Sequence, residues 1–402
     1  DQIEPELPDG IGEVLIFFEP NATAAQRQQV LQDFDLKLLQ NFDFLGLSRA
    51  ELKISSVAET LSIIPRLNQD PRVQRAFLNA IHVTTQSDPL VGEQEWLSNI
   101  GLPLGWFDFF PNRGAGTVIA IIDSGIDLHL PTPVNSEFTL YAGAPQGLNF
   151  TPDQSNDPTA NDVDFRGHGT AVSGIATARS DNGVQGSGVA SLASVLPMRV
   201  FQQGQFRTPV SNSLWIAEAI AAAYQMEVDV INMSFRDASS TQTVDGVEVE
   251  IERYYELLFE RIESSIREEE RRTGIPVQRP VIVASTGNDG ADSVGCPACH
   301  PFVIAVGSAT FIDDAWERSS FSNYGSGIDL VAQGEGIVTT QIRGNFDVLG
   351  PGTSFSAPQV AGMAALIRAE RPALTPTEVK NLILKCFVQD IGTVGFDLDT
   401  GW

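Results

Sequence analysis

Four stretches of this 402-residue chain hold residue types that can together carry out nucleophilic chemistry. The first is Gly350-Pro351-Gly352-Thr353-Ser354-Phe355-Ser356-Ala357-Pro358-Gln359-Val360-Ala361-Gly362, a small-residue turn that breaks into the apolar run Met363-Ala364-Ala365-Leu366-Ile367. The run reads as a buried helix. A serine in its first turn has its hydroxyl at the positive end of the helix dipole, beside N–H groups with no partner inside the helix. Such a hydroxyl can attack a carbonyl and have the resulting oxyanion held nearby. Pro358 fits only near the helix start, where a missing N–H costs little. Gly352 and Ala357 leave room for another backbone. An ordinary capped helix is the competing reading, since Ser and Thr are common N-caps, so a nucleophile here requires a base and an orienting acid elsewhere.

The chain offers both. Val118-Ile119-Ala120-Ile121-Ile122 runs into Asp123-Ser124-Gly125-Ile126-Asp127, which puts a carboxylate at the tip of an apolar strand, where an ionised group needs a partner. Gly167-His168-Gly169-Thr170-Ala171-Val172-Ser173-Gly174 opens a helix with a histidine between glycines, in a chain of only four histidines. A lone histidine is usually structural; one at a helix start, with an orphan carboxylate and an activated serine elsewhere, points to a base. Finally, Val281-Ile282-Val283-Ala284-Ser285-Thr286-Gly287-Asn288-Asp289-Gly290 carries an amide past a strand end, where it could donate to an oxyanion. Asparagine before Asp-Gly is also simply a good turn former.

The elements that must position these groups alternate. Strands are expected at 117–122, 194–200, 228–233, 281–285 and 303–306. Helices are expected at 167–179 and 211–225, over a long charged stretch at about 247–272, and after Ser354. This is the pattern of an α/β doubly wound parallel sheet, whose active groups lie at the carboxyl ends of the strands. The first segment differs. Strand 14–18, helix 24–34, strands 36–42 and 47–56, helix 57–68 and strand 73–80 give β-α-β-β-α-β, the layout of a small ferredoxin-like α+β domain. It has no paired catalytic residues. The polar, proline-broken stretch from Ile81 to Leu90 reads as a connection between domains 1–86 and 87–402, with His82 a strand-end surface residue.

Taken together, the chain resembles the subtilisin-like serine proteases over about residues 88 to 390. The family's blocks occur in its order: Asp123-Ser124-Gly125, Gly167-His168-Gly169-Thr170, the Asn288 block, and Gly352-Thr353-Ser354-Phe355-Ser356-Ala357-Pro358. Val230-Ile231-Asn232-Met233-Ser234, Pro301-Phe302-Val303-Ile304-Ala305-Val306-Gly307 and Phe321-Ser322-Asn323-Tyr324-Gly325 agree as well. The resemblance implies a serine endopeptidase acting on protein or peptide substrates, with Ser354 as nucleophile, His168 as base, Asp123 as its orienter and Asn288 in the oxyanion hole. It implies a substrate strand laid beside Ser234-Phe235-Arg236, with the P1 side chain between that strand and Ala284-Ser285-Thr286-Gly287. The family usually has glycine where Arg236 stands; the arginine either pairs with an acidic substrate side chain or points to solvent. The first segment looks like the family's propeptide, which assists folding and blocks the cleft as an intramolecular inhibitor. A processing peptidase or macrocyclase of the same fold, and a prodomain-capped inactive binding protein, are the other readings. An α/β-hydrolase esterase is disfavoured, because Gly352-Thr353-Ser354 lacks the G-x-S-x-G elbow and Asp and His both precede the serine.

Composition narrows the partners. A net charge of −26 argues against nucleic acid as a partner, and no apolar run reaches the length of a membrane span. The chain starts at Asp1 without Met, which fits either a removed signal peptide or a trimmed chain, and a secreted or otherwise exported protein is the expectation. Cys296-Pro297-Ala298-Cys299-His300 matches the covalent haem pattern, but the resemblance implies that it takes the place of the family's Pro-Ala loop near the P1 pocket, with no obvious room for a macrocycle. Zinc would need a second ligand pair, so a short-range disulfide or two free thiols remain. The chemistry requires no cofactor. Structural calcium is an expectation from the resemblance, with Asp153, Asp157, Asp162, Asp164 and Asp181-Asn182-Gly183 supplying oxygen ligands; solvated acidic turns explain them equally well. The family's His-Pro pair after the first block is absent, since the order here is His129-Leu130-Pro131, and His129 reads as structural.

Overall fold

The structure is a computed structural model that describes residues 13–42, 47–52, 63–78, 88–102, 105–106, 109–127, 137–144, 147–152, 167–203, 209–237, 241–244, 247–312, 315–389, 391 and 395–401. The chain divides into two compact units, Asp1–Thr84 and Thr85–Trp402.

The first unit is a four-stranded antiparallel sheet with a helical layer. Its strands are β1 (Glu13–Phe18), β2 (Leu36–Phe42), β3 (Leu47–Leu52) and β4 (Val73–Leu78), in the spatial order β2-β3-β1-β4. Val14, Ile16 and Phe18 alternate along β1 and are buried against Val30, Leu31, Ile63 and Leu67, so the period of two puts one face of the sheet under the helices. Helix α1 (Ala24–Asp33) starts at a capping box in which Thr23 and Gln26 satisfy each other's backbone N–H. Of the second expected helix, residues 63–67 are helical, and 57–62 lie outside the described residues.

The second unit is built on a nine-stranded sheet. Its strands include β5 (Val118–Asp123), β6 (Ser194–Arg199), β7 (Val230–Met233), β8 (Val281–Ser285), β9 (Val303–Ile312), β10 (Ala315–Arg318) and β11 (Leu330–Gln333). They run β10-β9-β8-β7-β5-β6, with β11 also on β9 and two short strands on β6; all pairs are parallel except β9 with β10. The chain moves from β5 to β6 on one side and then to β7 on the other, so the sheet reverses its order at β5. Asp123 closes that strand.

Alternation along each strand sorts the two cores. Ile119, Ile121, Val195, Val230, Val283 and Ile304 face helices α2 (His168–Thr177), α5 (Thr353–Glu370) and α6 (Pro376–Cys386). Ala120, Ile122, Leu196, Ile231, Met233 and Ile282 face α3 (Ser213–Gln225) and α4 (Ile251–Thr273). Both faces are covered, which is why these strands read as continuous apolar runs rather than alternating ones.

Two elements depart from the expected pattern. The helix expected at 247–272 starts later: Val247–Glu250 is a strand in a hairpin with Thr241–Val244, as its Val-Glu-Val-Glu alternation favours, and the helix follows at Ile251. On α4 the buried residues are Tyr255, Phe259 and Ile266, while Leu257 is 43% exposed. Pro358 is also deeper than expected, six residues into α5, where a proline normally costs a helical bond. The bond it removes is the one to the Ser354 carbonyl, and Ser234 Oγ donates to that oxygen instead at 2.8 Å.

Candidate active site

The carboxyl edge of the sheet gathers the polar groups. Asp123, 1% exposed, receives three hydrogen bonds on Oδ1: from Ser124 N at 2.7 Å, Ser124 Oγ at 3.1 Å and His168 Nδ1 at 2.8 Å. A carboxylate can only accept, so the His168 proton in this contact is on Nδ1, which leaves Nε2 as the ring's acceptor. The fit depends on Gly169. A Cβ there would lie 2.1 Å from the Gly125 carbonyl oxygen, so only glycine lets the start of α2 press against the loop after β5. Gly169 N donates to Ser124 Oγ at 3.0 Å, which ties the two motifs by backbone as well.

Ser354 is in the first turn of α5, half-buried, with its N–H outside the helical ladder. Its hydroxyl donates to the Ser234 carbonyl at 3.0 Å, reciprocating the bond from Ser234 Oγ, and Asn232 Nδ2 donates to Ser234 Oγ at 3.0 Å. The serine is therefore clamped to the strand-end segment beyond β7. Phe355 bridges to the histidine: its ring centroid lies 5.8 Å from that of His168. The structure thus joins Asp123 to His168 directly and brings Ser354 alongside through its neighbour, with the hydroxyl turned to Ser234.

Asn288 follows β8. Its Oδ1 accepts from Thr353 N at 2.9 Å and Thr353 Oγ1 at 2.8 Å, so the amide orientation is fixed and Nδ2 carries the donors. A Cβ on Gly352 would lie 3.5 Å from that nitrogen. Asn288 and Ser354 line one notch with Phe235, Arg236, Ser285, Gly287 and Thr353. Of the residues expected to contact substrate, Ser234, Ala284, Ser285, Thr286 and Gly287 are buried, and among these Ser285 and Gly287 line the notch. Ser124, Asn232, Thr353, Phe355 and Asp289 were not singled out from the sequence, although each lies inside or beside a quoted motif. An apolar cavity of about 230 Å³ near Trp316, Met363 and Phe387 has no titratable group in its wall.

Cys296 and Cys299 form a disulfide, and Cys386 is free. His300 is pushed below its ordinary pKa by burial, with Glu256 and Glu260 opposing, and its ring lies against Phe259 and Phe302. The motif read as a haem pattern is thus a packed turn.

Of the residues expected to hold calcium, only Asp181, Asn182 and Gly183 are among those described. Asp153, Asp157, Asp162, Asp164 and His129 lie outside the described residues. The N–H groups of Asp181, Asn182 and Gly183 donate to Asp88 at 2.7, 2.9 and 3.0 Å, and the Asp181 carboxylate pairs with Arg113. Among the described residues no group of three or more His, Cys, Asp or Glu side chains is placed to hold a metal. Behind this loop Glu137 is fully buried, and Asn182 Nδ2 donates to its Oε1 at 3.2 Å. Burial pushes its carboxyl up to about 8, aided by Asp88 and opposed by the Asn182 bond and Arg179.

A pH effect follows. An unfolded glutamate has a pKa near roughly 4.3, so the raised folded value makes protonation stabilising at low pH. That stability is fully present below the unfolded value and is lost as pH rises from about 4 through about 8. Glu137→Gln is expected to flatten the decline of Tm between those limits, read by thermal melts across pH; equal slopes in both proteins would contradict it. The same melts with calcium and with a chelator test the structural metal, and coincident curves would remove it.

Comparison with known proteins gives a consistent picture. The family described as the subtilase family matches residues 114–402. A thermophilic serine proteinase of Bacillus sp. (strain AK1) is 28% identical, over 89% of this chain and 78% of its own length. An intracellular serine protease of Paenibacillus polymyxa is 32% identical, over 64% of this chain and 68% of its own. Subtilisin E of Bacillus subtilis (strain 168) is 28% identical, over 89% and 80%. Among solved structures, proteases from Pseudoalteromonas arctica PAMC 21717 share the fold with a TM-score of 0.59 at 23% identity, covering 79% of this chain and 96% of theirs.

Proposed function

The chain belongs to the subtilase family of serine proteases, and from that premise we propose that it is an endopeptidase working through Ser354, His168 and Asp123, made as a zymogen with residues 1–86 as its propeptide. The observation that carries this reading is the buried Asp123 carboxylate, 2.8 Å from His168 Nδ1, at the strand end where the sheet order reverses.

In the proposed reaction the Ser354 side chain turns from the Ser234 carbonyl toward His168. Its oxygen bonds to the scissile carbonyl carbon as its proton passes to His168 Nε2. Asp123 keeps the ring in the tautomer that can take that proton and stabilises the imidazolium. The carbonyl electron pair moves onto oxygen, where the Ser354 N–H and Asn288 Nδ2 donate to it. Thr353 makes this possible by fixing the other end of the Asn288 amide. Collapse breaks the C–N bond, and the amine leaves with the proton from His168. Water then repeats the sequence on the acyl-enzyme and frees Ser354. The scheme uses only groups of this chain, side-chain and backbone, together with water.

The antiparallel sheet and helices of the first unit match the layout of a folding-assisting propeptide, and that unit holds none of the four proposed catalytic residues. Mass spectrometry of the purified full chain over time tests the scheme. The expected result is a cut between residues 80 and 90, absent from the Ser354→Ala protein, with free rather than joined termini. An intact chain that also resists fluorophosphonate labelling would overturn the peptidase reading.

A further inference from the structure

Arg236 does not simply point to solvent. Its guanidinium Nη1 donates to the Asp237 carbonyl at 2.7 Å, and Nη2 pairs with the Asp289 carboxylate. The side chain runs from the segment after β7 across to the segment after β8. A Cβ on Gly287 would lie 2.5 Å from Arg236 Cδ, and one on Gly295 2.7 Å from it, so the arginine methylenes lie directly against both glycine backbones. The three segments are themselves joined: Gly295 N donates to the Thr286 carbonyl at 2.9 Å, and Asp237 N, next to the arginine, donates to the Cys296 carbonyl at 2.9 Å.

We propose that Arg236, latched by Asp289, is a bar across the P1 pocket that limits the enzyme to small side chains before the scissile bond. This deepens the peptidase reading and rests on it. The argument is one of occupancy. Phe235, Arg236, Ser285 and Gly287 share a notch with Ser354 and Asn288, so a side chain entering beside Ser354 meets the arginine between the two walls. The bar has two polar anchors and two glycine ledges, and its side chain is only 26% exposed. Asp289 already balances the guanidinium, and the chain carries a net charge of −26, so the arginine has little attraction left for an acidic substrate. Size, rather than charge, is what it reads.

The test compares kcat/KM for peptides differing only at P1, with Ala, Phe, Gln and Glu, in the wild type, Arg236→Gly and Asp289→Asn. The wild type is expected to prefer Ala over Phe by about tenfold or more, the discrimination a few methylenes of pocket depth supply. Arg236→Gly is expected to shift the Phe-to-Ala ratio by at least about tenfold toward Phe. Asp289→Asn, which keeps the arginine but frees its end, is expected to shift it partway. An unchanged ratio in Arg236→Gly overturns the proposal. So does a wild-type preference for Glu over Gln that Arg236→Gly abolishes, since the arginine would then be a charge receptor. Binding of the same P1 series to Ser354→Ala, with and without Arg236→Gly, reads the pocket without turnover. Size discrimination in binding with no hydrolysis by the wild type would sink the peptidase reading alone; no discrimination in either assay would sink the bar.

Discussion

Ser354→Ala is expected to lower kcat on a peptide substrate by about six orders of magnitude while leaving the fold intact. The size of the loss reflects how the proposed triad works as a unit: without the hydroxyl, His168 and Asp123 have no nucleophile to activate. The small structural effect follows from what the side chain touches. Its hydroxyl makes one hydrogen bond, to the Ser234 carbonyl, worth about 1 kcal/mol. The reverse bond, from Ser234 Oγ to the Ser354 carbonyl, belongs to the backbone of residue 354 and survives the substitution. Alanine is also well suited to a helix. Peptide hydrolysis and a circular-dichroism melt check both halves, and wild-type-like cleavage by the variant would end the assignment.

Asp123→Asn should cost about four orders of magnitude in kcat near neutral pH, with KM much less affected. The replacement has nearly the same shape, so the change is electronic. Oδ1 accepts from Ser124 twice and from His168 once. An asparagine that keeps its oxygen there has no charge to stabilise the imidazolium. One that turns its NH2 to His168 forces the ring proton onto Nε2, where it blocks acceptance from Ser354. Either orientation disables the base. A loss below about tenfold would show that Asp123 does not orient His168 in catalysis. A matching fall in thermal stability would instead mark it as structural.

These variants, Arg236→Gly and Glu137→Gln act on different properties of one molecule. The first two strike the chemical step, Arg236→Gly the choice of peptide, and Glu137→Gln the pH range over which the fold persists. Glu137 is far from the chemistry in sequence logic as well as in role: a single buried glutamate in an acidic chain gives no local signal, because its raised pKa comes first from burial and then from Asp88, and both are set by segments distant along the chain.

Much of the fold was legible because local physics dictates it. An apolar strand running into Asp123, a glycine-flanked histidine opening α2, and a small-residue turn breaking into α5 each announce their element and its end. The six-element layout of the first segment was readable in the same way. By itself, then, the sequence determined the parallel sheet and the family, because strand runs and motif order are properties of neighbouring residues. Tertiary structure alone decided the rest. Pro358 can sit inside α5 only because Ser234, over a hundred residues earlier, supplies the bond it removes. Tyr255 is buried and Leu257 exposed because α4 packs with the first, not the second, in the core shared with Met233 and Ile282. Arg236 is latched because β7 and β8 lie side by side, which brings Asp289, Gly287 and Gly295 to one arginine. Each depends on contacts between distant segments, and no local pattern encodes which partner a side chain will meet when the chain closes.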